Sequence, residues 1–114
     1  MSEESPPKAM PGVNLRVLSK IDGPAEGFET VIVEINVPAG LVVGRHSHPG
    51  VETTYVLEGS GELTIDGEAS RVVARGEAFQ VPLGRIHTVK IGDKDAKVCS
   101  VLVVEKGKPL VIPA

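Results

Sequence analysis

The chain has 114 residues, enough for one domain whose hydrophobic core needs no disulfide. Its net charge of −3 and its single cysteine exclude a basic nucleic-acid-binding surface and an intrachain disulfide framework. No apolar run approaches the roughly 20 residues of a membrane-spanning helix, and the acidic, proline-rich N-terminus is unlike a secretory signal. These features favour a cytoplasmic protein that binds neither nucleic acid nor membrane.

The elements that follow are almost all β-strands. Residues 1–12 predict a flexible arm, and residues 13–114 predict one domain. Segments rich in β-branched residues and separated by turn sequences predict strands at 14–20, 28–37, 53–58, 61–66, 69–74, 77–81, 86–91 and 97–105, with a short one at 110–112. Asp66-Gly67 predicts a tight hairpin. Many short strands, with no segment of helical period longer than about a turn, predict an all-β antiparallel barrel or sandwich.

Two of the three histidines, His46 and His48, are separated by one residue, and Glu52 follows. Because side chains alternate along a strand, both imidazoles would face the same side. Pro49-Gly50 interrupts the strand, so the direction of Glu52 stays open. Burying these groups is costly without a partner, and a divalent cation is such a partner. Imidazole and carboxylate ligands suit Zn, Fe, Mn, Ni or Cu without selecting one of them.

The third histidine, His87, follows the turn Pro82-Leu83-Gly84 at the start of a predicted strand. Three imidazoles and one carboxylate would hold a six-coordinate ion with two open positions, or form a tighter shell around Zn. Open positions distinguish a catalytic metal from a structural one. The sequence therefore predicts a metal site with room for a ligand.

Two segments resemble the paired motifs of the cupin family. In residues 40–59, GLVVGRHSHPGVETTYVLEG, the first motif is matched at Gly40, His46, His48, Glu52 and Gly59. In residues 76–87, GEAFQVPLGRIH, the second is matched at Gly76, Pro82, Gly84 and His87. The resemblance implies a jelly-roll β-barrel that holds one divalent transition metal through the three histidines and Glu52. The second motif usually ends in Asn, which is not a metal ligand in the family, and this chain has Ile91 there.

Three further residues are candidates for substrate binding. Arg85 has the same parity as His87, so it would either meet an anionic substrate at the barrel mouth or be a solvated turn residue. Gln80 and Thr54 would each line a pocket if their strands present them to it.

The resemblance implies three classes of function. The first is a small metalloenzyme that acts on a small oxygen-bearing organic substrate. Dioxygenase-type chemistry is favoured over isomerase, lyase or decarboxylase chemistry, because no free histidine or second carboxylate remains as an obvious general base. The others are a non-catalytic ligand-binding or sensing module and a metalloprotein whose ion is structural. A homodimer is also expected, through an exposed sheet edge in 97–105 or 110–112 or through the N-terminal arm.

Overall fold

The computed structural model describes residues 10–114, which form ten β-strands and no helix. The strands are β1 (Asn14–Asp22), β2 (Phe28–Val37), β3 (Val42–Ser47), β4 (Gly50–Glu58), β5 (Ser60–Ile65), β6 (Arg71–Ala74), β7 (Ala78–Val81), β8 (His87–Ile91), β9 (Ala96–Glu105) and β10 (Ile112–Pro113). Within this part of the chain, no helix has the length and apolar character needed to cross a bilayer.

The strands form two five-stranded antiparallel sheets. One sheet has the order β1-β2-β9-β4-β7, and the other has the order β10-β3-β8-β5-β6. From β3 onward the chain passes repeatedly between the two sheets, so each sheet contains strands that are distant in sequence. The all-β jelly-roll prediction is confirmed.

Most of the predicted strands are confirmed, including 28–37 with both of its ends. The range 42–47 of β3 was not among the predicted strands, because Gly44 interrupts it and glycine is depleted in strands, although His46 and His48 were treated as strand residues. The predicted hairpin joins β5 and β6, but its loop spans residues 66–70 instead of two residues.

The predicted N-terminal arm differs from the structure at its last residues. Residues 1–9 lie outside the described part of the chain. Met10 is only 5% exposed and packs in an apolar cluster with Val37, Val43 and Ile91. The packed part of the chain therefore includes Met10, which the prediction assigned to the arm.

Strand β9 lies in the middle of its sheet, where it pairs with β2 on one side and β4 on the other. Both of its edges are hydrogen-bonded, so the valine-rich segment 97–105 cannot pair edge to edge with a second copy. Its outer face is still accessible, because half-buried Val101 and Val103 lie beside exposed Val51 and Tyr55.

The interior between the sheets contains three apolar clusters and a cavity. The clusters centre on Val37 and Ile91, on Leu63 and Phe79, and on Val33 and Leu102. Residues from all three clusters line one cavity of about 90 Å³. The same cavity is lined by the three histidines and Glu52.

Candidate metal centre

The three histidines converge on the cavity from a single sheet. His46 lies in β3 and His87 begins β8, and the two are direct cross-strand partners. His48 follows immediately after β3. All three side chains are buried, and their ring centroids lie between 4.2 and 5.1 Å apart.

Glu52 reaches the same place from the opposite sheet. The even-numbered residues at the start of β4 face the interior, so Glu52 and Thr54 are both buried. Pro49-Gly50 carries the chain from β3 in one sheet to β4 in the other. Gly50 is required there, because a Cβ atom would lie 1.8 Å from the Val103 carbonyl oxygen. The direction of Glu52, which the sequence left open, follows from this crossing.

Each imidazole is held by a backbone carbonyl through Nδ1. The three pairs are His46 with Gly44 at 2.7 Å, His48 with Leu110 at 2.7 Å, and His87 with Arg85 at 3.0 Å. A carbonyl oxygen only accepts, so each Nδ1 must carry the proton and donate it. In the neutral ring Nε2 is then a free lone pair, the usual arrangement of a metal-binding histidine.

The Glu52 carboxylate faces two of these lone pairs. Its Oε1 atom lies 3.1 Å from His48 Nε2 and 3.2 Å from His87 Nε2. Neither pair is aligned as a hydrogen bond, and within the described residues both Glu52 Oε1 and His48 Nε2 are buried without a partner. Facing acceptor atoms are unfavourable unless a proton or a metal ion lies between them.

The donor set fits a transition metal. The three histidines each offer one ring nitrogen, and these nitrogens lie within 4.8 Å of one another. Two ligands about 2.1 Å from one ion and at right angles to each other are about 3 Å apart, which matches the spacing between Glu52 Oε1 and the two Nε2 atoms. Three buried histidines here can therefore hold a metal ion, and Glu52 has the position and charge of a fourth ligand.

The charges of the metal-free site are set by burial and by Glu52. Burial lowers the pKa of His46 to about 4, so this ring is neutral at neutral pH. Burial also acts to lower the pKa of His48, but the neighbouring Glu52 carboxylate outweighs it and raises that pKa. Burial acts to raise the pKa of Glu52, yet the interactions with His48 and His87 hold it below its ordinary value. Glu52 is thus an ionised carboxylate.

A chain of two hydroxyl groups orients this carboxylate. Thr54 Oγ1 donates to Glu52 Oε2 at 2.6 Å and lies 2.6 Å from Ser100 Oγ. Because the Thr54 hydroxyl has one proton and donates it to Glu52, the Ser100 hydroxyl must donate to Thr54. This arrangement holds Oε2 and leaves Oε1 to face the histidines. Thr54 was a predicted candidate, whereas Ser100 was missed, although a serine at an inward position of the valine-rich β9 is a detectable signal.

We expect Thr54→Val to weaken metal binding by about 10- to 100-fold, as is typical when a group that orients a ligand is lost. Thr54→Ser, which keeps the hydroxyl, should restore most of the affinity. Thr53→Val on the outer face of the same strand is the matched control. Titration of the metal-free protein with Zn²⁺ against a competing chelator measures all three. Equal affinities for Thr54→Val and Thr53→Val would contradict the orienting role.

The other predicted candidates do not reach the cavity. Arg85 donates to the Asp66 carbonyl and pairs with exposed Glu68 at 3.4 Å, as expected for a solvated turn residue. Gln80 is exposed and donates to Thr53. Ile91, in the position where the cupin motif usually has Asn, is buried and lines the cavity.

Comparisons with known proteins find the same fold. Solved structures with the same fold include the polyketide cyclase RemF from Streptomyces resistomycificus, with 28% identity, a TM-score of 0.70, and coverage of 93% of this chain and 73% of that one. KdgF from Halomonas sp. is 22% identical, with a TM-score of 0.68 and coverage of 89% and 86%. The DMSP lyase DddQ from Ruegeria pomeroyi DSS-3 is 21% identical, with a TM-score of 0.68 over 75% of this chain. The chain spans less than half of that lyase, 43% of its length.

A search of curated protein sequences finds no match. The family model for the cupin domain matches residues 33–105, a segment that begins in β2, ends with β9 and contains all four converging side chains. On this match and on the fold, the chain belongs to the cupin family.

Proposed function

We propose that this protein is a small metalloenzyme that binds one divalent transition metal through His46, His48, Glu52 and His87 and acts on a small oxygen-bearing organic substrate. The observation that carries the proposal is the convergence of Glu52 Oε1 with the Nε2 atoms of two histidines whose protons are held on Nδ1. When the rings are neutral, these acceptors are buried and point at one another, and a metal ion bound between them would satisfy them.

The protein's own residues would bind the metal ion and orient its ligands. The backbone carbonyls hold the three rings in one tautomer, and Thr54 holds the carboxylate. The apolar wall excludes water, which strengthens every electrostatic interaction inside. The bound ion would supply Lewis acidity toward a substrate oxygen and, if it is redox-active, electron transfer with dioxygen.

The cavity wall offers no separate general base. Among the described residues that line it, the titratable side chains are the three histidines and Glu52. An enzyme built this way depends on its metal and not on an acid–base pair of side chains. This feature supports catalysis centred on the metal.

Two kinds of chemistry suit this centre. Dioxygenase-type chemistry remains the prediction from the sequence. Lewis-acid chemistry of the isomerase, lyase or decarboxylase kind is the alternative from the sequence. The likeness to RemF, which is named as a polyketide cyclase, adds cyclisation to these candidates. A non-catalytic ligand-binding role would use the same site without turnover, and a homodimer remains a prediction that light scattering tests.

Metal analysis of the untagged protein tests the proposal. We expect about one Fe, Mn, Co, Ni, Cu or Zn ion per chain after purification or after reconstitution with each ion. The protein loaded with the ion that binds most tightly is then assayed with and without dioxygen. The comparison shows whether to search for oxygen consumption or for non-oxidative turnover. Failure of every ion to bind would overturn the proposal.

A further inference from the structure

We propose that the site takes a mainly apolar substrate that presents one oxygen-donor group, uncharged or singly anionic, to the metal, and that it rejects substrates carrying a further charged group. This inference rests on the function proposed above and adds the substrate class. It follows from which polar atoms the cavity wall contains and from which of them are already engaged.

The wall carries very few polar side chains. Beyond the four proposed ligands, the described residues that line the cavity have polar side-chain atoms only at Thr54, Ser60 and Ser100. No lysine, arginine, aspartate, asparagine or glutamine from the described part of the chain lines it. The rest of the lining is aliphatic, apart from Phe79 and Met10.

The polar atoms near the histidines are already engaged. Thr54 donates to Glu52, and Ser100 donates to Thr54, so neither hydroxyl has a proton left to donate. Each histidine Nδ1 is bonded to a carbonyl. Ser100 Oγ can still accept a hydrogen bond, but among the described residues near the centre no side chain has a free proton to donate to a substrate oxygen. A substrate oxygen would therefore have to bind at an open position of the ion.

The apolar wall also extends far from the histidines. β8 runs from His87 to Ile91, about 13 Å along the strand, and both residues line the cavity. Across the ladder, Gly61 pairs with Ile91 and lines the far part, where a Cβ atom would lie 2.7 Å from Val89 Cγ1. Ser60, next to Gly61, is a single uncharged hydroxyl at this far end.

The charges of the cavity wall also argue against a substrate with a second anionic group. Glu52 is the only carboxylate in the described wall, and no cationic side chain joins it. A divalent ion with one carboxylate ligand leaves a single positive charge, which one anionic oxygen head group neutralises. A second anionic group would be buried with no cation beside it, and burial of an unpaired charge is strongly unfavourable.

Alkyl hydroxamates test the inference, because they share one metal-binding head group and differ only in the body attached to it. We would measure binding to the Co²⁺-loaded protein by calorimetry and by the cobalt absorption spectrum. Affinity should rise about fourfold per added methylene from acetohydroxamate to hexanohydroxamate until the cavity is full. Succinic monohydroxamate should bind at least about tenfold more weakly than 4-methylpentanohydroxamate, which has the same shape but no carboxylate.

Two substitutions of Ile91 test whether the apolar wall causes the dependence of affinity on chain length. Ile91→Asn places an amide in the apolar part and should flatten the dependence on chain length, whereas Ile91→Leu should preserve it. Thermal melts of both variants show whether they are folded. Equal binding of the two isosteric hydroxamates, or a flat alkyl series in the wild-type protein, would overturn the inference.

A separate measurement distinguishes this failure from failure of the proposed function. Xenon enters dry apolar cavities, so in the metal-free protein it should shift the methyl resonances of Leu63 and Val89, which line the cavity. Xenon binding without metal binding would overturn the proposed function and leave the apolar cavity standing. Metal binding with a flat hydroxamate series would overturn the substrate class alone.

Discussion

The His46→Ala/His48→Ala variant is expected to lose metal binding and, with it, all of the thermal stabilisation that metal gives the wild-type protein. These residues supply two of the three converging ring nitrogens. An ion present at about 100 times its dissociation constant stabilises a folded protein by about 2.7 kcal/mol. In a domain of this size, that corresponds to a rise in melting temperature on the order of 10 °C. Thermal melts of metal-free and metal-loaded protein, with metal analysis of both, measure the difference.

Arg45→Ala is the matched control for this variant. Arg45 lies in β3 beside His46 but points outward, where it forms an exposed salt bridge of 2.8 Å with Asp66. Exposed ion pairs contribute little to stability, and this one does not touch the cavity. The control should therefore keep the full response to metal. An unchanged response in the double histidine variant would place the ion elsewhere in the protein.

Glu52→Gln is expected to have opposite effects on the metal-free and the metal-loaded protein at a pH above the folded-state pKa of His48, where that ring is neutral. In the metal-free protein the buried carboxylate faces the Nε2 lone pairs of His48 and His87. A glutamine that accepts the Thr54 proton with its oxygen would donate from its nitrogen toward those lone pairs. Because an unsatisfied buried polar group costs about 1–3 kcal/mol, the metal-free variant should be more stable than wild type by up to that amount.

With metal bound, the same substitution should be harmful. The variant loses a charged ligand, and residues that only orient a ligand already contribute 10- to 100-fold to affinity. We therefore expect the metal affinity of Glu52→Gln to fall by at least about 100-fold. Competition titrations measure the metal affinity of the variant. Thermal melts with and without metal measure whether the variant is more stable than wild type in the metal-free form and less stable in the metal-loaded form. Glu58→Gln, an exposed carboxylate on the same strand, is the control.

The pH dependence of the metal-free protein follows from the directions of two pKa shifts. The pKa of Glu52 is lowered on folding, so its contribution to stability is present above the unfolded-state value and is lost as the pH falls. The pKa of His48 is raised, so its contribution to stability is present below the ordinary value of 6.5 and is lost as the pH rises through the folded-state pKa. The advantage of Glu52 over glutamine should therefore be greatest near pH 5–6 and should fall as the pH rises through the folded-state pKa of His48. An advantage that does not fall with rising pH would contradict the pairing of Glu52 with His48.

Much of the fold and the site could be predicted from local patterns. Alternating β-branched residues predict strands, because the period of two puts every second side chain on the buried face. Tyr55 and Thr53 face outward on β4, and Glu52 and Thr54 face inward. The spacing of His46, His48, Glu52 and His87 predicts one metal site. Burial of four such polar side chains is costly without a partner, and a shared metal ion is such a partner.

Interactions between distant segments could not be predicted in this way. Ser100 lies 46 residues from Thr54 in the chain, yet its hydroxyl completes the chain that orients Glu52. The exclusion of Arg85 and Gln80 from the cavity depends on which loops and strands pack beside them, here the 66–70 loop and Thr53. Met10 was assigned to an arm on composition alone and is buried because the cluster around Ile91 covers it.

Most of the strands, the family and the four side chains proposed as ligands follow from the sequence alone, because each of these depends on spacing along a few residues. The direction of Glu52, the free nitrogen of each histidine and the apolar character of the cavity follow only from the packed structure. Those properties depend on the crossing at Pro49-Gly50, on the carbonyls of Gly44, Leu110 and Arg85, and on residues from both sheets. Segments far apart in the chain must meet before any of them exists.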